Sequence, residues 1–165
     1  MLTMTLAGGH DHVVTPGDLE RFWVKVDKSG PVPPARPDLG PCWLWTAKIN
    51  QYGYGDFGLR SRLVKAHRLS YTILVGSIPD GLTLDHLCRV RNCVNPRHLE
   101  AVTQRVNTLR GDGFAADHAA KTKCPNDHPY DEANTYVSNV NGRHCRTCHR
   151  DRERARKREI RKRGE

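Results

Sequence analysis

LDHLCRVRNCVNPRHLE, residues 84–100, gathers two histidines, two cysteines, an aspartate and an Asn-Pro turn into seventeen positions. Metal ligation and proton transfer both draw on histidine, and an imidazole committed to a structural zinc cannot also accept a proton from water. The way these side chains divide between the two tasks decides both the fold and the chemistry.

Working outward, six cysteines stand at 42, 88, 93, 124, 145 and 148. Three disulfides are one use for them in an exported protein. The opening MLTMTLAGGHDHVV, however, has neither a basic leader nor an apolar run long enough for export or for crossing a membrane. An intracellular, reducing compartment is therefore expected, and clustered Cys and His there point to zinc. Hydrophobic residues are 37% and aromatic residues 7% of the 165 positions, low for a domain held by apolar burial alone, so metal is expected to help hold the fold.

Spacing sorts the ligands. Cys124-x3-His128 and Cys145-x2-Cys148 are two short pairs, each able to wrap an ion, with an insert of hairpin length closing the far side. Redox chemistry at Cys145 and Cys148 is the alternative, without the βαβ setting it needs. The remaining thiols, Cys42, Cys88 and Cys93, have His67, His86 and His98 nearby. His98 follows Cys93 by five positions, so Cys42, Cys88, Cys93 and His98 form a second zinc set; His86 replacing His98 is the alternative.

Strand patterns LTLDH and LEAVT flank this knuckle, and a helix QRVNTLRG follows, capped by Thr103 and stopped at Gly111. Upstream, Leu19, Phe22, Trp23 and Val26 repeat at helical spacing after a Thr15-Pro16-Gly17-Asp18 cap. Residues 42–59 read as a hairpin about Asn50-Gln51, with Trp43, Trp45, Tyr52 and Tyr54 as packing residues. Residues 65–76 read as a helix with Leu69, Ile73 and Leu74 on one face and Gly76 as its C-cap. The expected organisation is a flexible arm over 1–16, a short helix and Pro-rich linker over 17–41, and a core domain over 42–111. A hinge over 112–123, a zinc module over 124–148 and a basic tail over 149–165 complete it. His10 and His12 in the arm are assigned no role.

The net charge is +9, and residues 143–165 hold eleven Lys or Arg against four acids, so that segment carries +7. Such a block attracts phosphate backbones through counterion release, or else is a solvated tail.

The joint pattern of Asp85-His86, Asn95-Pro96-x-His98-Leu99 and the later Asn107 resembles the HNH endonucleases, in particular small phage-type members with a ββα-metal fold. The resemblance runs from about residue 20 to 111, through FWVKVDKSG, CWLWTA, GYGDF, AHRLSY, IPDGLTLDHLC, CVNPRHLEAVT and NTLRG. CPNDHPYDEANTYV with GRHCRTC also resembles a module attached to such nucleases. The resemblance implies an α+β protein, with a small zinc-stabilised, treble-clef-like ββα-metal core, a second small zinc module and a basic C-terminal helix or tail. It implies that His86 is the general base and that Asn95 braces the knuckle. Asp85, and Asn107 where the family has His or Asn, would hold one Mg²⁺ or Mn²⁺ ion beside the two structural zincs. Arg68, Arg89, Arg91, Arg97, Arg105 and Arg110 surround this centre and are expected to meet the phosphates of double-stranded DNA. A monomer or weak dimer is expected, acting in the host cytoplasm if phage-encoded, with no membrane partner. The rival expectations are a non-catalytic zinc-finger-type nucleic-acid-binding protein and a structural RNA-binding module. Consecutive strand residues point to opposite faces, so the strand is expected to break at Asp85 and His86, with Cys88 anchoring the loop beyond.

Overall fold

The computed structural model describes residues 2–6, 10–138 and 142–164, and the chain divides into two units, 1–108 and 109–165. In the first unit, β1 (Leu2–Leu6) pairs antiparallel with β2 (His10–Val14), Leu2 opposite Val14. The arm that the sequence suggests over 1–16 thus contains two strands. LTMTL alternates apolar residues with threonine, the period of two that suits a strand. Helix α1 (Pro16–Trp23) follows, opened by a reciprocal cap: Thr15 accepts from the Asp18 backbone N–H, and the Asp18 carboxylate accepts from that of Thr15. The helix delivers Phe22 into an aromatic cluster, with ring centres 5.0 Å from Trp45 and 5.3 Å from Phe57. Val14, Leu59, Ala66, Leu69 and Val94 complete this core. Full burial of each large side chain contributes about 1.5–3 kcal/mol.

The segment expected as a linker is a largely exposed loop whose ends are tied together by backbone hydrogen bonds. Gly30 N–H donates to the Cys42 carbonyl and Cys42 N–H to that of Pro31, both at 3.1 Å. A Cβ on Gly30 would lie 2.6 Å from the Cys42 oxygen, which is why this approach takes glycine. β3 (Val26–Asp27) pairs with β4 (Leu44–Trp45). The chain does reverse about Asn50, bridging Ile49 to Gly55. The flanks of that reversal nonetheless pair elsewhere, β4 with β3 and β5 (Asp56–Leu59) with β6 (Arg62–Lys65). Close to the reversal the flanks do meet by backbone, with Asn50 N–H donating to the Tyr54 carbonyl at 2.9 Å and Asp56 N–H to that of Lys48 at 2.8 Å, and Trp45 packs directly on Gly55, where a Cβ would fall 2.5 Å from the indole.

Helix α2 (Ala66–Leu74) buries Leu69 in the core and leaves Leu74 half exposed. Beyond it, β7 (Leu82–His86) pairs antiparallel with β8 (Leu99–Thr103), from Leu82 opposite Thr103 to His86 opposite Leu99. Helix α3 (Gln104–Arg110) starts where the Thr103 hydroxyl accepts from Val106 N–H at 3.3 Å. The second half of this unit is therefore strand, knuckle, strand, helix.

In the second unit, the span expected as a hinge carries α4 (Phe114–Ala120). Its FAADHAA is rich in alanine, the best helix former, and Arg143 donates to the carbonyls of His118 and Lys121 at its end. β9 (Thr135–Ser138) pairs antiparallel with β10 (Gly142–Cys145), and α5 (Arg146–Arg163) leads on as one continuous helix. Among the described residues, no helix is long and apolar enough to cross a membrane.

Candidate functional site

The knuckle brings Cys42, Cys88, Cys93 and His98 together, all buried, with their ligand atoms within 4.8 Å of one another. His98 Nδ1 lies 3.5 Å from the Cys42 sulfur and 3.6 Å from that of Cys93. A tetrahedron with the usual Zn–S and Zn–N bond lengths has S···N edges of about 3.6 Å. The other imidazole nitrogen, Nε2, donates to the Leu39 carbonyl at 3.0 Å, which leaves Nδ1 as the ligand atom. Cys42 returns to the knuckle because residues 43–45 run alongside 92–94: Val94 N–H donates to Trp43 at 2.7 Å and Trp45 N–H to Asn92 at 2.9 Å. Hydrogen bonding from Cys93 pulls the Cys88 thiol down to about 5, whereas burial raises that of Cys42 to about 11. Metal ligation requires thiolates, and a bound dication supplies the charge that permits more than one here. The donor set, burial and spacing are compatible with zinc.

His86 stands apart from this cluster. Its Nε2 lies 3.0 Å from the Cys93 carbonyl, an acceptor only, so Nε2 carries the proton and Nδ1 keeps its lone pair. Burial lowers the His86 pKa, opposed by that carbonyl. Two rings pack on it: His67 from α2, with centres 4.8 Å apart, and Tyr54, at 5.8 Å. His67 Nδ1 is buried with no hydrogen-bond partner among the described residues, and burial, then the nearness of His86, lowers the His67 pKa to about 3. The sequence motif marks His86 but neither wall residue, because their contacts are tertiary.

The strand stays paired through His86 and turns immediately afterwards. Arg89 N–H donates to the His86 carbonyl, and Arg89 adopts φ 58°. The break expected at the pair thus falls just after it. Asp85 is only 2% exposed, and one of its carboxylate oxygens accepts from the Arg89 guanidinium at 2.6 Å. Asn95 ties the knuckle at two points, its oxygen accepting from Arg97 N–H at 3.1 Å and its NH₂ donating to the Pro41 carbonyl at 3.0 Å. Asn107 is half-buried on α3, and no described interaction joins it to Asp85 or His86. Arg91, Arg97, Arg105 and Arg110 are exposed. Arg91 is partly engaged, donating to the Tyr52 carbonyl and lying over the Tyr54 ring. Arg68 is half-buried, and its pKa is lowered by that burial.

The second unit gathers Cys124, His128, Cys145 and Cys148 in the same way. His128 Nδ1 lies 3.6, 3.7 and 3.2 Å from the sulfurs of Cys124, Cys145 and Cys148. Asn134 braces the set: its NH₂ donates to the Cys145 sulfur at 3.3 Å, and its oxygen accepts from both the backbone and the hydroxyl of Thr147. Such outer contacts orient ligands and stabilise thiolate. This cluster is likewise compatible with zinc.

A family model described as HNH endonuclease matches residues 64–109, the span from β6 to α3 that holds both His86 and His98. The chain is 34% identical over 67 residues to Protein 7.7 of Escherichia phage T7, an alignment covering 41% of this chain and 52% of that protein. It is 32% identical over 69 residues to the uncharacterized gene 5.3 protein of Enterobacteria phage T3, covering 38% of this chain and 68% of that protein. The chain thus spans about half the length of Protein 7.7. No solved structure matches it. With the matched span taking in α2 and the strand, knuckle, strand and helix beyond it, which together carry the buried His67, His86 and His98, the chain belongs to the HNH endonuclease family.

Proposed function

We propose that the protein is a metal-dependent endonuclease that hydrolyses phosphodiester bonds of double-stranded DNA. The carrying observation is the orientation of His86. With Nε2 held on the Cys93 carbonyl, Nδ1 is the nitrogen that takes the proton from the attacking water. Burial keeps the imidazole in its neutral, proton-accepting form. Asp85 and Asn107 offer a carboxylate and an amide oxygen, the hard donor set that Mg²⁺ or Mn²⁺ takes. When bound, that ion supplies electrostatic stabilisation of the charge that develops on the phosphate oxygens. The knuckle cluster, with zinc, fixes the loop that presents the Cys93 carbonyl, and so holds the His86 ring. Arg68, Arg89, Arg91, Arg97, Arg105 and Arg110 bind phosphates on either side of the scissile bond. The reading puts the action inside an infected cell, supported by the phage origin of both relatives.

One observation favours a non-catalytic nucleic-acid-binding protein instead: the Arg89 guanidinium occupies an oxygen of Asp85. That arginine side chain is 44% exposed, so solvent screens the pair and substrate phosphate can draw the guanidinium away. Asp85→Ala and Asn107→Ala test the ion-binding role. Each variant is expected to keep the wild-type zinc content by elemental analysis and to lose Mg²⁺- or Mn²⁺-dependent plasmid nicking. Wild-type nicking by both variants contradicts it.

A further inference from the structure

Helix α5 extends through eighteen residues with no buried side chain, so apolar packing does not account for it. It carries ten Lys or Arg and three acids. With about 100° of turn per residue, Arg146, Arg150, Arg154, Lys157, Arg158 and Arg161 share roughly one third of its circumference. All six are exposed. Asp151, Glu153 and Glu159 lie outside that sector. Inside it, like charges stand four residues apart: Arg146 and Arg150, Arg150 and Arg154, Arg154 and Arg158, Lys157 and Arg161. A solvated helix face gains about 0.2–0.5 kcal/mol from each opposite pair at this spacing and loses as much from each like pair. The stripe is therefore arranged against the stability of the free helix, and in favour of a polyanion laid along it. Arg154 pairs with Asp151 at 3.8 Å, while Lys157, Arg158 and Arg161 have no ion pair among the described residues.

The stripe is also rooted. The Cys145 sulfur caps the helix by accepting from Cys148 N–H, and both residues belong to the second Cys/His cluster. Arg146, at the head of the stripe, lies over the Tyr136 ring, which stacks on His144. From Arg146 to Arg161 the row is about 22 Å long at 1.5 Å per residue. A duplex presents about a dozen phosphate charges over that length of axis.

We propose that the Arg146–Arg161 stripe of α5 is a docking surface for the phosphate backbone of duplex DNA, a sequence-independent anchor built from residues that the hydrolytic chemistry does not use. The choice of DNA rests on the nuclease reading above. The test uses the full zinc-loaded chain carrying His86→Ala, to prevent cleavage, and a fluorescent 30-base-pair duplex titrated across KCl concentrations. Neutralising the stripe (Arg150→Gln, Arg154→Gln, Arg158→Gln, Arg161→Gln) is compared with neutralising the other faces (Arg152→Gln, Arg156→Gln, Lys162→Gln, Arg163→Gln), which removes equal charge. The stripe variant is expected to lose roughly tenfold or more in affinity, and its plot of log K against log salt to flatten by about 3–4. The other variant should keep most of the slope. Lysine at the same four stripe positions should restore binding, which separates charge from helix disruption. Equal losses in the two Gln variants, no loss in either, or failure of lysine to restore binding overturns the anchor, and tighter binding to an RNA duplex of the same sequence overturns the choice of DNA. Plasmid nicking by the wild-type protein, measured in parallel, separates the two readings: no nicking with stripe-dependent binding defeats the nuclease and leaves the anchor standing.

Discussion

His67 and His86 face each other across 4.8 Å, and only one of them belongs to a recognisable motif. His86 could be read from the sequence because Asp85, the knuckle and Asn95 surround it locally. His67 sits in AHRLSY with no neighbour to reveal a role, and its partners arrive only when α2 packs beside β7. Its burial has a consequence for stability. A base whose folded pKa falls from 6.5 to about 3 binds fewer protons than the unfolded chain between those values. Stability is therefore lost as pH falls through that window, by up to about 1.4 kcal/mol per pH unit. His67→Phe keeps a ring against His86, removes this titration and removes a buried nitrogen that has no hydrogen-bond partner among the described residues. Denaturant melts between pH 6.5 and 4.5 should show a shallower loss of stability for His67→Phe than for wild type, and parallel slopes contradict this account of His67.

Among the elements, β7, the knuckle, β8 and α3 were legible because each is marked within a few residues, by alternation, ligand spacing or a cap. The return of Cys42 was not. It depends on residues 43–45 running beside 92–94, a short pairing across some fifty positions that no local pattern announces. The same holds for β3 against β4, two residues each, and for the Pro-rich segment, whose composition suggests a linker although Gly30 and Pro31 bond to Cys42. This long-range closure is where zinc should matter most. Cys42→Ser removes one of four ligands, so zinc is expected to fall from about two to about one per chain, with a lower melting temperature. Native mass spectrometry reads the stoichiometry directly. Two ions retained by Cys42→Ser, or one in the wild type, contradict the knuckle assignment.

At the scale of the molecule, two units each carry a Cys/His cluster, while the proposed mechanism uses one base, His86. One such centre hydrolyses one strand per encounter, so nicked circles are expected to accumulate before linear product in a plasmid time course, and simultaneous appearance of both contradicts a single acting centre. The two Cys/His clusters were legible from the spacing of the cysteines. The continuous helix with its sorted arginines was not, because a charged run reads equally well as coil. The central claim is that Nδ1 of His86 takes a proton from water, and it is tested by wild type and His86→Ala prepared with matched zinc content and incubated with supercoiled plasmid and Mg²⁺ or Mn²⁺. The account predicts nicking by the wild type and a rate lower by about 10²–10⁴-fold in His86→Ala; equal rates, or no nicking by the wild type, contradict it.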